Sequence, residues 1–307
     1  MPMNLRDLQY IVAVADHAHF GNAAQACNVS QPTLSGQIGK LEQELGVEIF
    51  SRVGRTVRPT EAGEQIIAHA RRAIAAAADI VDAARANRDP LSGRLRLGVI
   101  PTIAPYLMPY VLPLTAEKLP NAPLVLVEET TAHIVPQVIE GKLDAAIVAT
   151  QEDAPELVSI DLYDEPFFVA MPANHPLAAS KTVAMEDIDP RTLLLLTDGH
   201  CLRNQLLDLC SNPQVGGGVM ADMRATSLET LLHLAAAGQG VTFLPRLAIE
   251  CGRGEGERLA TRPLAGDSAY RRVRLVHRRR SPRTKALIEL ARVVRAAIPA
   301  SVRSLKG

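Results

Sequence analysis

Two cysteines nine positions apart, Cys201 and Cys210, follow a turn-forming Asp198-Gly199-His200 and frame an amphipathic segment. Leu202, Leu206, Leu207 and Leu209 recur at helical spacing, with Asp198 a candidate cap just upstream. Cys201 then falls in the first helical turn. Unpaired backbone N–H groups and the helix dipole favour a thiolate there, and His200 and Arg203 add positive charge, so the sequence predicts a lowered thiol pKa and a nucleophilic sulfur. Asp198 partly opposes this. As a helix, the segment holds the two Cα atoms about 13.5 Å apart along its axis. A disulfide needs them within about 7 Å, so joining the sulfurs requires the helix to unwind. A reduced helix and an oxidised loop exclude each other, which is the physical content of a redox switch. The competing reading is two buried, inert cysteines on a packing helix, since cysteine often behaves as a small hydrophobe.

Stepping outward to the elements that must hold such a pair, a chain of 307 residues allows two or three domains, each able to bury a core. Aromatic residues are only 3% and tryptophan is absent, which argues against stacking on bases or sugars as the main activity. Thirty-three basic residues balance 33 acidic ones, excluding a uniformly basic nucleic-acid coat but not local patches. The four cysteines, at 27, 201, 210 and 251, are too sparse for a secreted disulfide framework or a four-cysteine zinc site. No metal or cofactor is expected. Arg6, Asp7 and Asp16 interrupt any signal-peptide core and no apolar run reaches membrane-spanning length, so a reducing cytoplasm without membrane association is expected.

Near the start, apolar residues at 5, 8, 11, 12 and 15 predict a one-faced helix, and 22–27 a short second one. The turn Asn28-Val29-Ser30 leads into a third helix over 31–42, with Pro32 in its first turn, where a missing N–H costs nothing. Leu34, Ile38 and Leu41 face inward, leaving Gln31, Thr33, Ser35, Gln37 and Lys40 outward. This is helix-turn-helix patterning, suited to reading base edges in a major groove. The alternating run 49–59, with Arg52, Arg55 and Arg58, predicts a hairpin wing able to touch phosphates. A small packing module with a solvated hairpin fits the same residues.

An alanine-rich stretch over 64–88 carries a helical seam (Ile66, Ala70, Ala73, Ala77, Ile80, Val81, Ala84) that it cannot bury alone, so a partner helix from a second copy is expected. Asp89-Pro90-Leu91-Ser92-Gly93 ends it. Beyond, strands at 94–100, 124–128, 145–149, 167–171 and 193–197 alternate with helices, predicting α/β sheets with ligands at the carboxyl ends of strands. Thr102, Thr131 and Cys201 each lie just past such an end, so one pocket can collect all three. Residues 271–285 hold seven arginines, one lysine and no acid, a run expected to be solvated and balanced by acids elsewhere. Cys251 has no assignable role.

Ala23-Ala24, Val29 through Ser35, Leu41-Glu42, Leu45-Gly46, Phe50, Arg52 and Thr60-Glu61-Ala62-Gly63 together resemble the N-terminal signature of LysR-type transcriptional regulators. Ile100-Pro101-Thr102 with Pro105-Tyr106-Leu107, Asp198 through Arg203, Cys210, and Arg224 through Thr230 are similar to the hydrogen-peroxide-sensing members of that family, over essentially the whole chain. Asn204 stands where better-known relatives carry Asp.

The resemblance implies an α/β fold class: an N-terminal winged helix-turn-helix (1–60), a long linker or dimerisation helix (61–90), and a periplasmic-binding-protein-like effector domain of two α/β lobes (91–307). Lobe I is 91–163 plus 269–307 and lobe II is 164–268. It implies a regulator and not an enzyme. Cys201 matches the peroxidatic cysteine and Cys210 the resolving one, while Thr102, Thr131, His200 and Arg272 fall where the peroxide pocket's polar groups lie. Ser30, Gln31, Pro32, Thr33, Ser35, Gln37, Arg52 and Arg55 are the expected DNA-binding residues. Partners implied are double-stranded promoter DNA, RNA polymerase, hydrogen peroxide, a thiol-disulfide reductant system, and further copies of the chain in a homotetramer, a dimer of dimers.

Overall fold

The computed structural model describes residues 3–53, 56–86, 89–209, 225, 227–252 and 258–302. The chain divides into two compact units, one chiefly Met1–Asn87 and the other chiefly the residues that follow. Arg55 and Cys210 lie outside the described residues.

The first unit is α1 (Leu5–His17), α2 (Phe20–Ala26), α3 (Gln31–Leu45), β1 (Phe50–Val53), β2 (Thr56–Pro59) and α4 (Glu61–Ala86). Asn4 opens α1 with a capping box: its side chain accepts from the Arg6 and Asp7 amides, and the Asp7 carboxylate accepts the Asn4 N–H. Helix α2 starts two residues before the expected Asn22, because His19 Nδ1 accepts the Gly21 amide at 3.0 Å and caps it there. Its Asn28 exit takes the left-handed conformation, φ 55°, which asparagine tolerates. Strands β1 and β2 pair antiparallel from Phe50↔Pro59 to Val53↔Thr56. Glu42 of α3 anchors this wing by accepting the Ile49 and Phe50 amides at 2.7 and 3.2 Å. Ile67 and Ala70 in the first half of α4 bury into the same core as Tyr10, Ile11, Leu34 and Ile38, whereas Ile80 and Val81 further along are 71% and 50% exposed.

In the second unit, β3 (Leu95–Val99) pairs parallel with both β4 (Leu124–Glu128) and β5 (Ala145–Val148), the crossovers being α5 (Ala104–Lys118) and α6 (Thr131–Ile139). Strand β9 (Tyr270–Arg278) lies antiparallel between β5 and the sixteen-residue β6 (Leu157–Pro172). The first part of β6 pairs with β9 as far as Pro166↔Tyr270, and the remainder pairs with β7 (Thr242–Pro245) and β8 (Leu259–Pro263). The chain thus changes strand partners at Pro166–Phe167. Helices α7 (Cys201–Leu209), α8 (Leu228–Ala236), α9 (Arg246–Glu250) and α10 (Thr284–Ala297) complete the unit. The parallel and antiparallel mixture matches the predicted α/β class.

One expected strand does not form. Leu193 through Leu196 are buried, but the stretch 193–197 makes only isolated bridges, Leu193 to Val241 and Leu196 to Ala225, with Thr242 Oγ1 donating to the Leu194 carbonyl. Apolar burial created the strand-like pattern, while the backbone groups find scattered partners instead of one ladder. The arginine run on and after β9 is only partly solvated. Arg274 pairs with Asp161, while Arg278, Arg279 and Arg283 donate to the carbonyls of Val138, Pro155 and Gly93. Among the described residues, no helix is long and apolar enough to cross a membrane.

Candidate functional site

Cys201 is the first residue of α7 and packs against the effector core. The preceding Gly199 sits at φ 96°, a left-handed value that favours glycine and lets the chain turn sharply into the helix. Thr102 follows β3 by three residues and Thr131 opens α6, so both hydroxyls lie at the carboxyl edge of the parallel strands. Thr102 is buried and fully engaged with Arg271, whose Nη1 donates to its Oγ1 at 2.9 Å and whose Nη2 donates to its carbonyl at 2.8 Å. A hydroxyl that accepts from a guanidinium keeps its own hydrogen for another acceptor. Behind the guanidinium lies Glu165, with Arg271 Nε to Oε2 at 2.8 Å, and the two side chains are 1% and 0% exposed.

The electrostatics of Cys201 reverse one expectation. Burial pushes its thiol above the ordinary range, outweighing the opposing pulls of the Arg271 charge, the Thr131 hydroxyl and the backbone N–H groups of Leu202 and Cys201. Helix-terminal amides do favour the thiolate, as predicted, but desolvation is the larger effect. Thr131 Oγ1 is buried without a hydrogen-bond partner, and its hydroxyl favours the Cys201 thiolate. The positive charge also has a different source. Burial lowers the His200 pKa, disfavouring its charged form. Arg203 turns away to Asp198 at 3.0 Å and to the Leu196 carbonyl at 3.2 Å.

Arg272, expected in the pocket, is not there. It lies on the opposite side of β9 from Arg271, half-buried, and pairs with Asp164 at 2.7 Å and Asp161 at 3.3 Å. The cause is strand parity: consecutive residues of a strand point to opposite faces. Arg271 and Glu165 are the residues that sequence reasoning missed. An acid inside the apolar run 162–171 was the available signal, because a buried carboxylate demands a buried cation. Gln205, one helical turn after Cys201, was also missed; its Nε2 donates to the Ala149 carbonyl at 2.6 Å, fastening α7 to the end of β5.

At the other candidate surface, Ser30 caps α3 by accepting the Thr33 amide at 3.2 Å. Gln31, Pro32, Thr33 and Gln37 are exposed and Ser35 is half-buried, over buried Leu34, Ile38 and Leu41. Arg52 takes its backbone place opposite Val57 in the wing. This is the polar-faced second helix of a winged helix-turn-helix.

Comparison with known proteins agrees with both halves. Residues 5–64 match the bacterial regulatory helix-turn-helix protein of the lysR family, and residues 88–299 match the LysR substrate binding domain. The chain is 40% identical over 294 residues to the DNA-binding transcriptional dual regulator OxyR of Escherichia coli K12, covering 96% of this chain and 95% of the relative. A full-length OxyR variant from Pseudomonas aeruginosa superposes with a TM-score of 0.76 at 38% identity, over 95% of this chain and 98% of that one. A hydrogen-peroxide-bound OxyR mutant from Corynebacterium glutamicum gives 0.66 at 35% identity, over 96% and 92%. With its winged helix-turn-helix, its α/β effector unit and relatives aligned along nearly its whole length, this chain belongs to the LysR family of bacterial transcriptional regulators.

Proposed function

We propose that the protein is a cytoplasmic hydrogen peroxide sensor that switches transcription of oxidative-stress genes through a reversible Cys201–Cys210 disulfide. The observation that carries this reading is the convergence on one half-buried sulfur of the Arg271 charge, the Thr131 hydroxyl and a helix N-terminus, with Thr102 held by the same guanidinium. The Cys201 thiolate attacks one peroxide oxygen and the O–O bond breaks, leaving a sulfenic acid and a hydroxide that takes up a proton to become water. Thr102 and Thr131 are suited to hold the two peroxide oxygens in line, and Arg271 to stabilise the departing hydroxide. His200, whose charged form burial disfavours, is suited to orient or hydrogen-bond. The Cys210 thiol then displaces the sulfenic hydroxyl as water, forming the disulfide. Thiol-disulfide exchange with a cellular reductant restores both thiols.

Helix α7 makes this a structural event. Its nine residues span about 12 Å. A disulfide tolerates a Cα separation of about 7 Å, and the step from Leu209 to the next residue adds about 3.8 Å. The bond therefore requires the helix to open. Repacking of that segment at a subunit interface changes how a homotetramer sits on promoter DNA and meets RNA polymerase. Gln31, Thr33, Ser35 and Gln37 read the major groove, Ser30 and Pro32 fix the start of their helix, and Arg52 and Arg55 reach phosphates from the wing.

Stoichiometric peroxide added to reduced protein, followed by mass mapping, is expected to yield one Cys201–Cys210 crosslink that is absent in Cys201→Ser. Reaction without that crosslink, or promoter binding indifferent to it, overturns the proposal. Multiple turnovers of peroxide would instead mark a thiol peroxidase.

A further inference from the structure

Glu165 carries no reacting atom, yet the hydrogen bonds that aim Arg271 go to Glu165 and to Thr102. Its Oε2 accepts Arg271 Nε at 2.8 Å, and its Oε1 accepts the Leu247 amide at 2.9 Å in the first turn of α9. Nη1 and Nη2 of Arg271 go on to Thr102. The guanidinium is therefore clamped on two edges, by Glu165 and by Thr102, and from that fixed position its charge acts on Cys201. Two residues earlier on the same face of β6, Tyr163 is fully buried with an unpartnered hydroxyl, so no water-rich medium surrounds the pair. In so dry a setting the carboxylate offsets part of the guanidinium's charge, so where the remaining charge and the N–H groups are presented depends on how the carboxylate holds the guanidinium.

We infer that Glu165 is a positioning residue of the Cys201 site, holding Arg271 against Thr102 and tying that orientation to the first turn of α9. This rests on the reading of Cys201 as the peroxide-reactive thiol. It makes α9 and β6, which carry no reacting atom, determinants of how fast the sulfur reacts. Glu165→Gln keeps an acceptor for Leu247 but removes the charge that orients Arg271. Glu165→Asp keeps the charge and withdraws it by one methylene.

The test follows Cys201 oxidation by hydrogen peroxide in full-length protein, by stopped flow from neutral to alkaline pH, with circular dichroism and melting as checks on the fold. The expected result for Glu165→Gln is oxidation slowed roughly tenfold, with the pH midpoint for reaction moved up by about one unit, since a tenfold change in thiolate fraction is one pKa unit. Glu165→Asp should fall between it and the parent. A parent protein whose Cys201 does not react refutes the site reading itself. A reactive parent with both variants at its rate and midpoint overturns the positioning role, whatever their melting temperatures. Faster reaction at a lower midpoint also overturns it, because Glu165 would then be only an opposing charge. Where Glu165→Gln lacks a native spectrum, Glu165→Asp decides by the same criteria.

Discussion

The two faces of β9 carry adjacent arginines with opposite fates. Arg271 is buried against Glu165 and Thr102, and its charge reaches Cys201, whereas Arg272, one residue on, makes a partly exposed ladder with Asp161 and Asp164. Both are arginines paired with carboxylates. Solvent is what separates them. A buried pair is a high-stakes arrangement whose loss strands an uncompensated ion, while an exposed one is screened and contributes little. The lesson is that pairing alone does not identify a functional cation; the face it occupies does.

That contrast can be broken most directly at Arg271. Arg271→Ala leaves Glu165 charged and dry, so denaturant unfolding should show a loss of about 3–5 kcal/mol, together with a collapse of Cys201 oxidation. Retained stability would mean that the Glu165 carboxylate finds water or another donor once the guanidinium is gone. The pH response is the next largest effect. Burial raises the folded thiol's pKa, so the buried neutral thiol favours the folded state below the ordinary thiol range, and this contribution fades as pH rises through the elevated value. The thiolate is then a minor species at neutral pH, and the peroxide reaction should accelerate about tenfold per pH unit there. A rate flat across neutral pH would show that Arg271 and the helix amides outweigh burial after all.

A smaller change is expected from Thr131→Val, which removes a buried hydroxyl that favours the Cys201 thiolate. Oxidation should slow by about tenfold, the worth of one hydrogen bond to a charged group, with the melting temperature unchanged or raised. The smallest effect belongs to Arg272→Ala, where unfolding should report less than about 1 kcal/mol and Cys201 should react as in the parent. A large effect there would erase the distinction between the two faces.

Much of this was legible in the residues alone. Helical spacing, the Ser30 cap and Pro32 located the DNA-reading helix, and the strand-helix alternation put Thr102 and Thr131 just past strand ends. The arginine was misassigned because two identical neighbours on a strand differ only in parity, and a slip of one residue exchanges the faces. Glu165 was invisible for a related reason: its partner lies 106 positions away and only the β6·β9 register brings them together. The lowered thiol pKa failed because helix-terminal effects can be read locally, whereas burial is a property of the whole fold. The stretch 193–197 has a strand's pattern without forming one because a buried apolar run looks alike whether or not a ladder forms.

The amide of Gln205 has a further implication. It secures α7 through one bond to the Ala149 carbonyl while its own Oε1 stays buried without a partner. When α7 unfastens, incoming solvent can satisfy both the freed carbonyl and the already starved amide oxygen, so part of the penalty of letting go is returned at once. The oxidised state should therefore be the wetter of the two, and restoring the thiols must expel that water before the helix can close again.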